Sequence, residues 1–396
     1  MDALVGIRVL DFSRVLAGPF CSMMLADLGA DVIKIERPGT GDETRQWGPP
    51  FVVPGLSAYF ASVNRNKRSV TLDLGQPAGT AVARELALHA DVVIENFKPG
   101  VMDRLELGYD ALKASNPRLV FCSISGFGPD GPYRERAGYD LVVSALGGLM
   151  WITGEADRAP VKVGVALTDV CTGLAAHGSI CAALVARTRA GTGQRIDLSL
   201  LETQVAALVN VASSFLVSGR EAQRWGTAHE TIVPYQAFDA ADGHLVVAVG
   251  NDSTWRKFCD AIGQQGLGRD PRFLTNPLRV ENREACIAAV APLIRARPRG
   301  EWLAAFEKAG VPAAPINALE DVFRDPQVLH RGMVVEMAAP DGTSFKAVGL
   351  PVKFSGTPAR IRRRPPLLGE HTEEVLAALL GYDEGRIRDL RASGVI

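Results

Sequence analysis

Residues 161–202, VKVGVALTDVCTGLAAHGSICAALVARTRAGTGQRIDLSLLE, read as loop, helix, tight loop and strand. Asp169 stands just ahead of an apolar run, Val170 to Val185, crowded with Ala and Gly. The run closes on Arg187, Arg189 and a Gly-Thr-Gly turn, the usual make-up of a helix C-terminus. Asp169 is therefore expected to cap the first N–H groups of that helix, with the helix dipole keeping its carboxylate ionised. The same placement leaves a carboxylate at the floor of a site, able to act as an anion. Asp is a common N-cap, so the helix alone leaves capping and chemistry both open.

Working outward, the stretch is preceded by a repeating strand–helix pattern. RVLDFS (8–13) reads as a strand, LAGPF (16–20) as a turn into a helix from about Phe20 to Leu28, and DVIKIERP (31–38) as the next strand after Gly29. Such a βαβ unit points to a parallel sheet. SVTLDL (69–74), DVVIENF (91–97) and LVFCSISG (119–126) continue it, with a helical stretch at 79–90. Ligands of such sheets gather at the carboxyl ends of the strands, here 13–17, 36–37, 96–98 and 125–127. The Gly/Pro-rich 126–138 is a loop before a helix near Tyr139, and a further helix covers about 203–218. Beyond it the composition changes. PYQAFDAADGHLVVAVGND (234–252) reads as a hairpin turning at Asp-Gly, followed by helices near 252–262, 277–296 and 300–309. A second hairpin begins near Gly332, and helices close the chain. The expected layout is a large domain over 1–225 (with a linker at 190–225), a small α+β domain over 226–320, and a return to the large domain over 321–396.

Composition narrows the class of protein. A chain of 396 residues exceeds what one small core needs, and 47% hydrophobic with 22% charged residues is ordinary for a soluble globular enzyme. The net charge of -1 gives no reason to expect nucleic acid or a membrane surface as partner. Six Cys (21, 122, 171, 181, 259, 286) lack metal or disulfide spacing, which suits a reducing compartment. No apolar run is read as a membrane span. The N-terminal segment starts on a strand with no signal-like or Arg-rich stretch, so the expected location is the cytoplasm, or an organelle matrix if a targeting segment has been removed.

The motifs exclude several chemistries. The first βα turn lacks Gly-x-Gly-x-x-Gly, against a nicotinamide cofactor. No His/Cys cluster suggests a metal, and no nucleophile elbow suggests a serine hydrolase. Of six dispersed His, only His229, in a loop with Trp225 and Gly226, is weighed as functional. What remains is a carboxylate at a Gly/Ala-rich helix start, which can be a nucleophile where water is excluded.

Taken together, LDFSRVLAGPF (10–20), DLGADVIKIERPGTGDETRQWGPPF (27–51), NRNKRSVTLDL (64–74), ENFKPGVMDRLELGYD (95–110), AGYDLVVSALGGLM (137–150), ALTDVCTG (166–173), GTGQRIDLSLLE (191–202) and PPLLGEHTEEVL (365–376) resemble the class III CoA-transferases. RNKRSVTLDL, AGYDLVVSALGGLMWITG and RWGTAHETIVPYQAF look like the succinyl-CoA–glutarate branch. The resemblance implies an α/β fold with a Rossmann-like large domain built from both chain ends, a smaller domain from the middle, and an interlocked homodimer. It implies no permanently bound cofactor, coenzyme A esters and small dicarboxylates as substrates, and no nucleic acid or membrane partner.

By the same resemblance, the family's nucleophile falls on Asp169, which attacks the acyl-CoA to give an anhydride and then an aspartyl-CoA thioester. The CoA contacts fall on Val15, Leu16, Ala17, Arg37, Leu72, Asn96, Phe97, Arg104 and Tyr139, with Arg37 and Arg104 expected on phosphates. Departures from the family are Leu16 where the formyl-CoA/oxalate enzymes carry Gln, Ala137 where a basic CoA contact stands, and no glycine run between 220 and 260. Leu16 and the missing glycine run argue against oxalate as acceptor. The rival on the same fold is an α-methylacyl-CoA racemase, whose His falls on Tyr139, a poor replacement by its ordinary pKa. A non-catalytic CoA-binding protein is the other. The reading is a CoA-transferase with succinyl-CoA as donor and glutarate or a relative as acceptor, whose distal carboxylate is expected on Arg45 or His229, with pairing to nearby Asp42 or Glu43 the alternative for Arg45.

Overall fold

A computed structural model describes residues 1–396. The chain forms two compact units, one of residues 1–149, 163–219 and 326–396, the other of residues 150–162 and 220–325. The sequence reading drew contiguous boundaries; the structure instead assigns 150–162 to the smaller unit.

The large unit holds a six-stranded sheet. Its strands are β1 (Arg8–Asp11), β2 (Asp31–Glu36), β3 (Lys67–Thr71), β4 (Val92–Glu95), β5 (Val120–Ser125) and β6 (Arg195–Ser199). All pair in parallel, in the order β3-β2-β1-β4-β5-β6. Among its helices, those that position the site are α1 (Ala17–Asp27), α2 (Pro77–Leu88), α3 (Asp140–Leu146), α4 (Leu167–Ala190), α5 (Leu200–Ala207) and α6 (Val209–Ser218).

Continuous apolar strands follow from burial on both faces. Val9 on β1, with Val92 and Ile94 on β4, faces a core with Cys21 and Leu25 of α1 and Ala176 and Ile180 of α4. Leu10 and Val93 face the opposite core, with Val82 and Leu86 of α2. Val375, Leu376 and Ile387, from near the chain's C-terminus, complete that second core. The large unit is thus built from both chain ends. Arg65 and Asn66 fasten the returning segment through Val348 O and Arg360 O, while both bind Asp27.

Length and composition of α4 would let it cross a membrane, contrary to the expectation that no such run exists. Here it packs along α1 and the sheet, burying Thr172, Gly173, Ala176, Ile180, Ala183 and Leu184. Its C-terminus is as read: Gly191 adopts φ +75° and its N–H donates to Arg187 O at 2.9 Å. The helix expected over 203–218 is two, α5 and α6, bent by 76°.

The smaller unit carries strands β7 (Tyr235–Ala240), β8 (Gly243–Ala248) and β9 (Ala313–Pro315) in an antiparallel sheet ordered β9-β8-β7. Asp242-Gly243 turns the hairpin as expected. Helices α7 (Asp252–Ala261), α8 (Asn276–Glu281), α9 (Arg283–Arg295) and α10 (Arg299–Ala309) bury Trp255, Phe258, Trp302 and Phe306 with stacked rings. Arg279, wholly buried there, donates to Val233 O, Phe273 O and Asp252.

Candidate active site

The strand order reverses between β1 and β4, because β2 and β3 lie to one side of β1 and β4 to the other. A crevice opens outside the carboxyl ends at such a switch point. Two loops meet there, Ser13–Leu16 after β1 and Asn96–Lys98 after β4. Asn96 joins them, its Oδ1 accepting the Arg14 N–H at 2.8 Å and its Nδ2 donating to Arg14 O at 2.8 Å.

The cavity at this point, about 200 Å³, is lined by Val15, Leu16, Ala17, Asn96, Phe97, Tyr139 and Asp169 among others. Seven residues named from the sequence are therefore brought together in one chamber. An adjoining chamber of about 900 Å³ shares Arg14, Glu43 and Phe97 with it and is lined by Arg37 and Leu72. Arg104 lines neither, although its neighbours Val101 and Leu105 line the larger one. Two linked chambers, one ending at a carboxylate and one bearing an exposed Arg, suit a long molecule with a reactive end and an anionic end.

Asp169 is not the N-cap. α4 begins at Leu167, its N-cap Ala166 offers no side-chain bond, and Asp169 lies in the first turn. The Thr168 N–H donates instead to Asp140 Oδ1, at 3.1 Å, from the start of α3. Thr168 Oγ1 in turn donates to Gln204 Oε1 at 2.6 Å. Gly173 allows α4 to approach α1, since a Cβ there would meet Ala17 O at 2.7 Å. The first turn of α4 faces the helix dipole's positive end, which favours an anion.

The sequence reading missed several residues. Tyr59 is half-buried, stacked edge-on to Trp47 at 5.1 Å. Burial, and then the negative charges of Asp169, Asp140 and Asp42, push its hydroxyl up to about 12. Arg134 and Arg136 line the smaller chamber beside Lys98, and Arg136 stacks over Tyr133 at 3.8 Å. Nothing in their Gly/Pro-rich loop distinguished these two from solvated charges.

Arg45 lies elsewhere than expected. It is buried, its guanidinium grips the Glu36 carboxylate at 2.8 and 2.7 Å, and it also donates to Pro366 O at 3.1 Å. It sits 3.8 Å over the Phe60 ring. The proposed partners Asp42 and Glu43 do not hold it, and it presents no cation to an acceptor. His229 belongs to the smaller unit, where its Nδ1 accepts the Thr231 N–H at 3.1 Å and its ring meets Tyr235 edge-on.

Under the chamber lies a buried polar layer. Asp11, at the end of β1, accepts from Ser13, Ser22 and Lys67. Burial first, then the neighbouring Lys34, lowers the Lys67 ammonium to about 8 against the pull of Asp11. Glu95, buried at the end of β4, accepts from the Phe97 N–H at 2.8 Å and from Ser123 Oγ. Burial raises its carboxyl to about 7 despite those two bonds. No group of three or more His, Cys, Asp or Glu is arranged to hold a metal.

A model of CoA-transferase family III matches residues 4–372. The chain is 47% identical to the succinyl-CoA:glutarate CoA-transferase of Mus musculus, over 100% of this chain and 91% of that relative. It is 46% identical to the succinate–glutarate CoA-transferase of Agrobacterium fabrum, over 95% of each. The crystal structure of a CAIB/BAIF family protein from Brucella suis superposes with a TM-score of 0.85 at 45% identity, covering 96% of this chain and 99% of that one.

Proposed function

The chain belongs to CoA-transferase family III and is a CoA-transferase; from that premise we propose that it moves CoA from succinyl-CoA to glutarate or a close dicarboxylate through a covalent cycle on Asp169. The observation that carries this reading is the position of Asp169, in the first turn of α4, inside a chamber lined by Val15, Leu16, Ala17, Asn96, Phe97 and Tyr139. The substrate pair is supported by what the mouse and Agrobacterium relatives are named for.

In the cycle, an Asp169 carboxylate oxygen attacks the succinyl thioester carbon, the C–S bond breaks, and CoA leaves as its thiolate. The thiolate then attacks the Asp169 acyl carbon of the resulting anhydride and expels succinate, leaving an aspartyl-CoA thioester. Glutarate attacks that thioester, the thiolate leaves again, and it finally attacks the glutaryl carbon to give glutaryl-CoA and regenerate Asp169. Each bond made replaces one broken, and no proton is gained or lost. Splitting one exchange into carboxylate and thiolate steps is covalent catalysis. An ionised carboxylate needs no base near neutral pH. Backbone N–H groups at the start of a helix suit the oxyanions that form at each attack.

The larger chamber, with Arg37 and Leu72, takes the nucleotide end of CoA in this reading. Arg104 is a further phosphate contact, reached from outside that chamber's lining. Arg45, held by Glu36, is not an acceptor contact; Lys98 and Arg136 of the smaller chamber take its place for the distal carboxylate, and His229 stays as expected from the sequence. The assembly is a homodimer in which a second copy covers α6, whose Val209, Leu216 and Val217 are exposed though apolar. Six free thiols suit the cytoplasm or another reducing compartment.

The test is intact-mass analysis after mixing with succinyl-CoA, followed by hydroxylamine. A CoA adduct that maps to Asp169, clears on adding glutarate and is lost in Asp169→Ala is expected. Absence of any adduct, with deuterium entering the α-carbon of a branched acyl-CoA, would mean racemase chemistry instead.

A further inference from the structure

Val15 has the least comfortable backbone in the chamber wall. Its φ is +69°, a left-handed conformation that crowds Cβ against backbone and is rare for a β-branched residue. Something must hold it there. Lys34 Nζ donates to Ser13 O at 2.7 Å. Asn96 takes both the N–H and the C=O of Arg14. The Val15 N–H points at the Asp42 carboxylate, 3.2 and 3.4 Å from its two oxygens. Four backbone polar groups in a row are thus each matched by a side chain. Lys34 and Asp42 pair with each other at 3.0 Å, and neither side chain has any exposed surface.

We propose that the buried Lys34–Asp42 pair is a positioning device, fixing the Ser13–Ala17 wall opposite Asp169 in the conformation that binds the acyl-CoA. This rests on the reading of the chamber as the acyl-CoA site. Both residues border the larger chamber, but neither side chain has exposed surface, so both act through the backbone they hold. α1 begins at Ala17 with no side-chain cap at Leu16, so the loop sets where that first turn stands. Thr44 keeps the carboxylate in place, its N–H and hydroxyl donating to Asp42 Oδ1 at 3.0 and 2.7 Å. Burial opposes ionisation of Asp42, but Lys34 and Thr44 outweigh it and hold the carboxyl at about 2, so the clamp stays charged across the working pH range.

The acyl-CoA and acid substrates are bound in separate half-reactions, so their KM values are measured independently. Asp42→Asn is isosteric but removes the charge facing Lys34. It is expected to raise the acyl-CoA KM about tenfold, the equivalent of ~1.4 kcal/mol, with kcat and the acid KM within about threefold. Thr44→Val, a buried residue that lines neither chamber, is expected to raise the same KM by about threefold, acting only through Asp42. A purely structural defect lowers the active fraction and hence apparent kcat, leaving both KM values alone. If Asp42→Asn fails to fold, Thr44→Val decides.

Arg37→Ala and Phe97→Ala serve as chamber controls. If they raise the acyl-CoA KM while Asp42→Asn and Thr44→Val leave it unchanged, the positioning role is overturned and the site reading stands. If the controls also leave it unchanged, the acyl-CoA reading of the chamber falls, and the positioning role with it.

Discussion

Glu95→Gln tests the buried layer beneath the chamber. The carboxyl lies at the end of β4, 5% exposed, bonded to Ser123 and to the Phe97 N–H. Burial dominates and raises it from 4.5 to about 7. Below pH 4.5 the group is protonated in native and unfolded chains alike, and the burial costs nothing through ionisation. Between 4.5 and 7 the unfolded chain releases its proton while the native chain keeps it, so stability falls as pH rises; above 7 the loss is complete. At ~1.36 kcal/mol for each factor of ten, the loss at pH 8 is about 3 kcal/mol. Gln imitates the protonated form: its oxygen accepts from Phe97 and its nitrogen donates to Ser123 Oγ. The unfolding entropy of 396 residues near 60 °C is about 0.8 kcal/mol/K, so about 3 kcal/mol corresponds to about 4 °C in Tm. Scanning fluorimetry of both proteins from pH 4.5 to 8 is expected to show a gap opening in favour of Glu95→Gln through that range. A gap independent of pH, or wild type the more stable at pH 8, refutes the argument.

Two further outcomes follow from buried and uncovered surfaces. Arg45→Ala is expected to cost about 3–5 kcal/mol, because Glu36 is left as a buried, unpaired charge; steady-state kinetics on the fraction that folds should give an unchanged acceptor KM, and a rise in that KM would return Arg45 to the acceptor site. For the homodimer proposed above, Leu216→Glu with Val217→Lys, on the exposed face of α6, is expected to convert a dimeric wild type to monomer in sedimentation velocity, and a monomeric wild type would refute the dimer. An unchanged dimer would place the interface elsewhere.

Much of the fold was legible because the strands are buried on both faces and punctuated by Gly and Pro. Each of 8–13, 31–38, 69–74, 91–97 and 119–126 holds or overlaps a strand of the parallel sheet. The offset at 69–74 has a cause: β3 begins at Lys67 with charged residues whose partners, Asp11 for Lys67 and Asp31 for Arg68, come from other strands. Pairing of that kind is invisible in local pattern. The break between α5 and α6 was equally hidden, as it falls within an unbroken apolar run. Arg45 shows the commonest error of reading charges along a chain. Its sequence neighbours Asp42 and Glu43 suggested partners, while the fold supplied Glu36 from the adjacent strand end.

Asp169 is the residue on which local and tertiary reasoning divide most usefully. An Asp before an apolar helix is read as a cap, because the first N–H groups need acceptors. The helix starts three residues earlier than that reading assumed, and the acceptor for the Thr168 N–H comes from Asp140 at the start of another helix. Asp140 is buried, so its oxygen is suited to satisfying backbone, whereas Asp169 is half-buried and borders the chamber. Two carboxylates thus meet at one helix start with different surroundings. Because Asp140 takes the Thr168 N–H, Asp169 keeps the dipole's support without being that N–H's acceptor. That division suits the attack proposed for Asp169, which lies at the positive end of the α4 dipole. It arises from the approach of α3 to α4, which no spacing within either segment encodes.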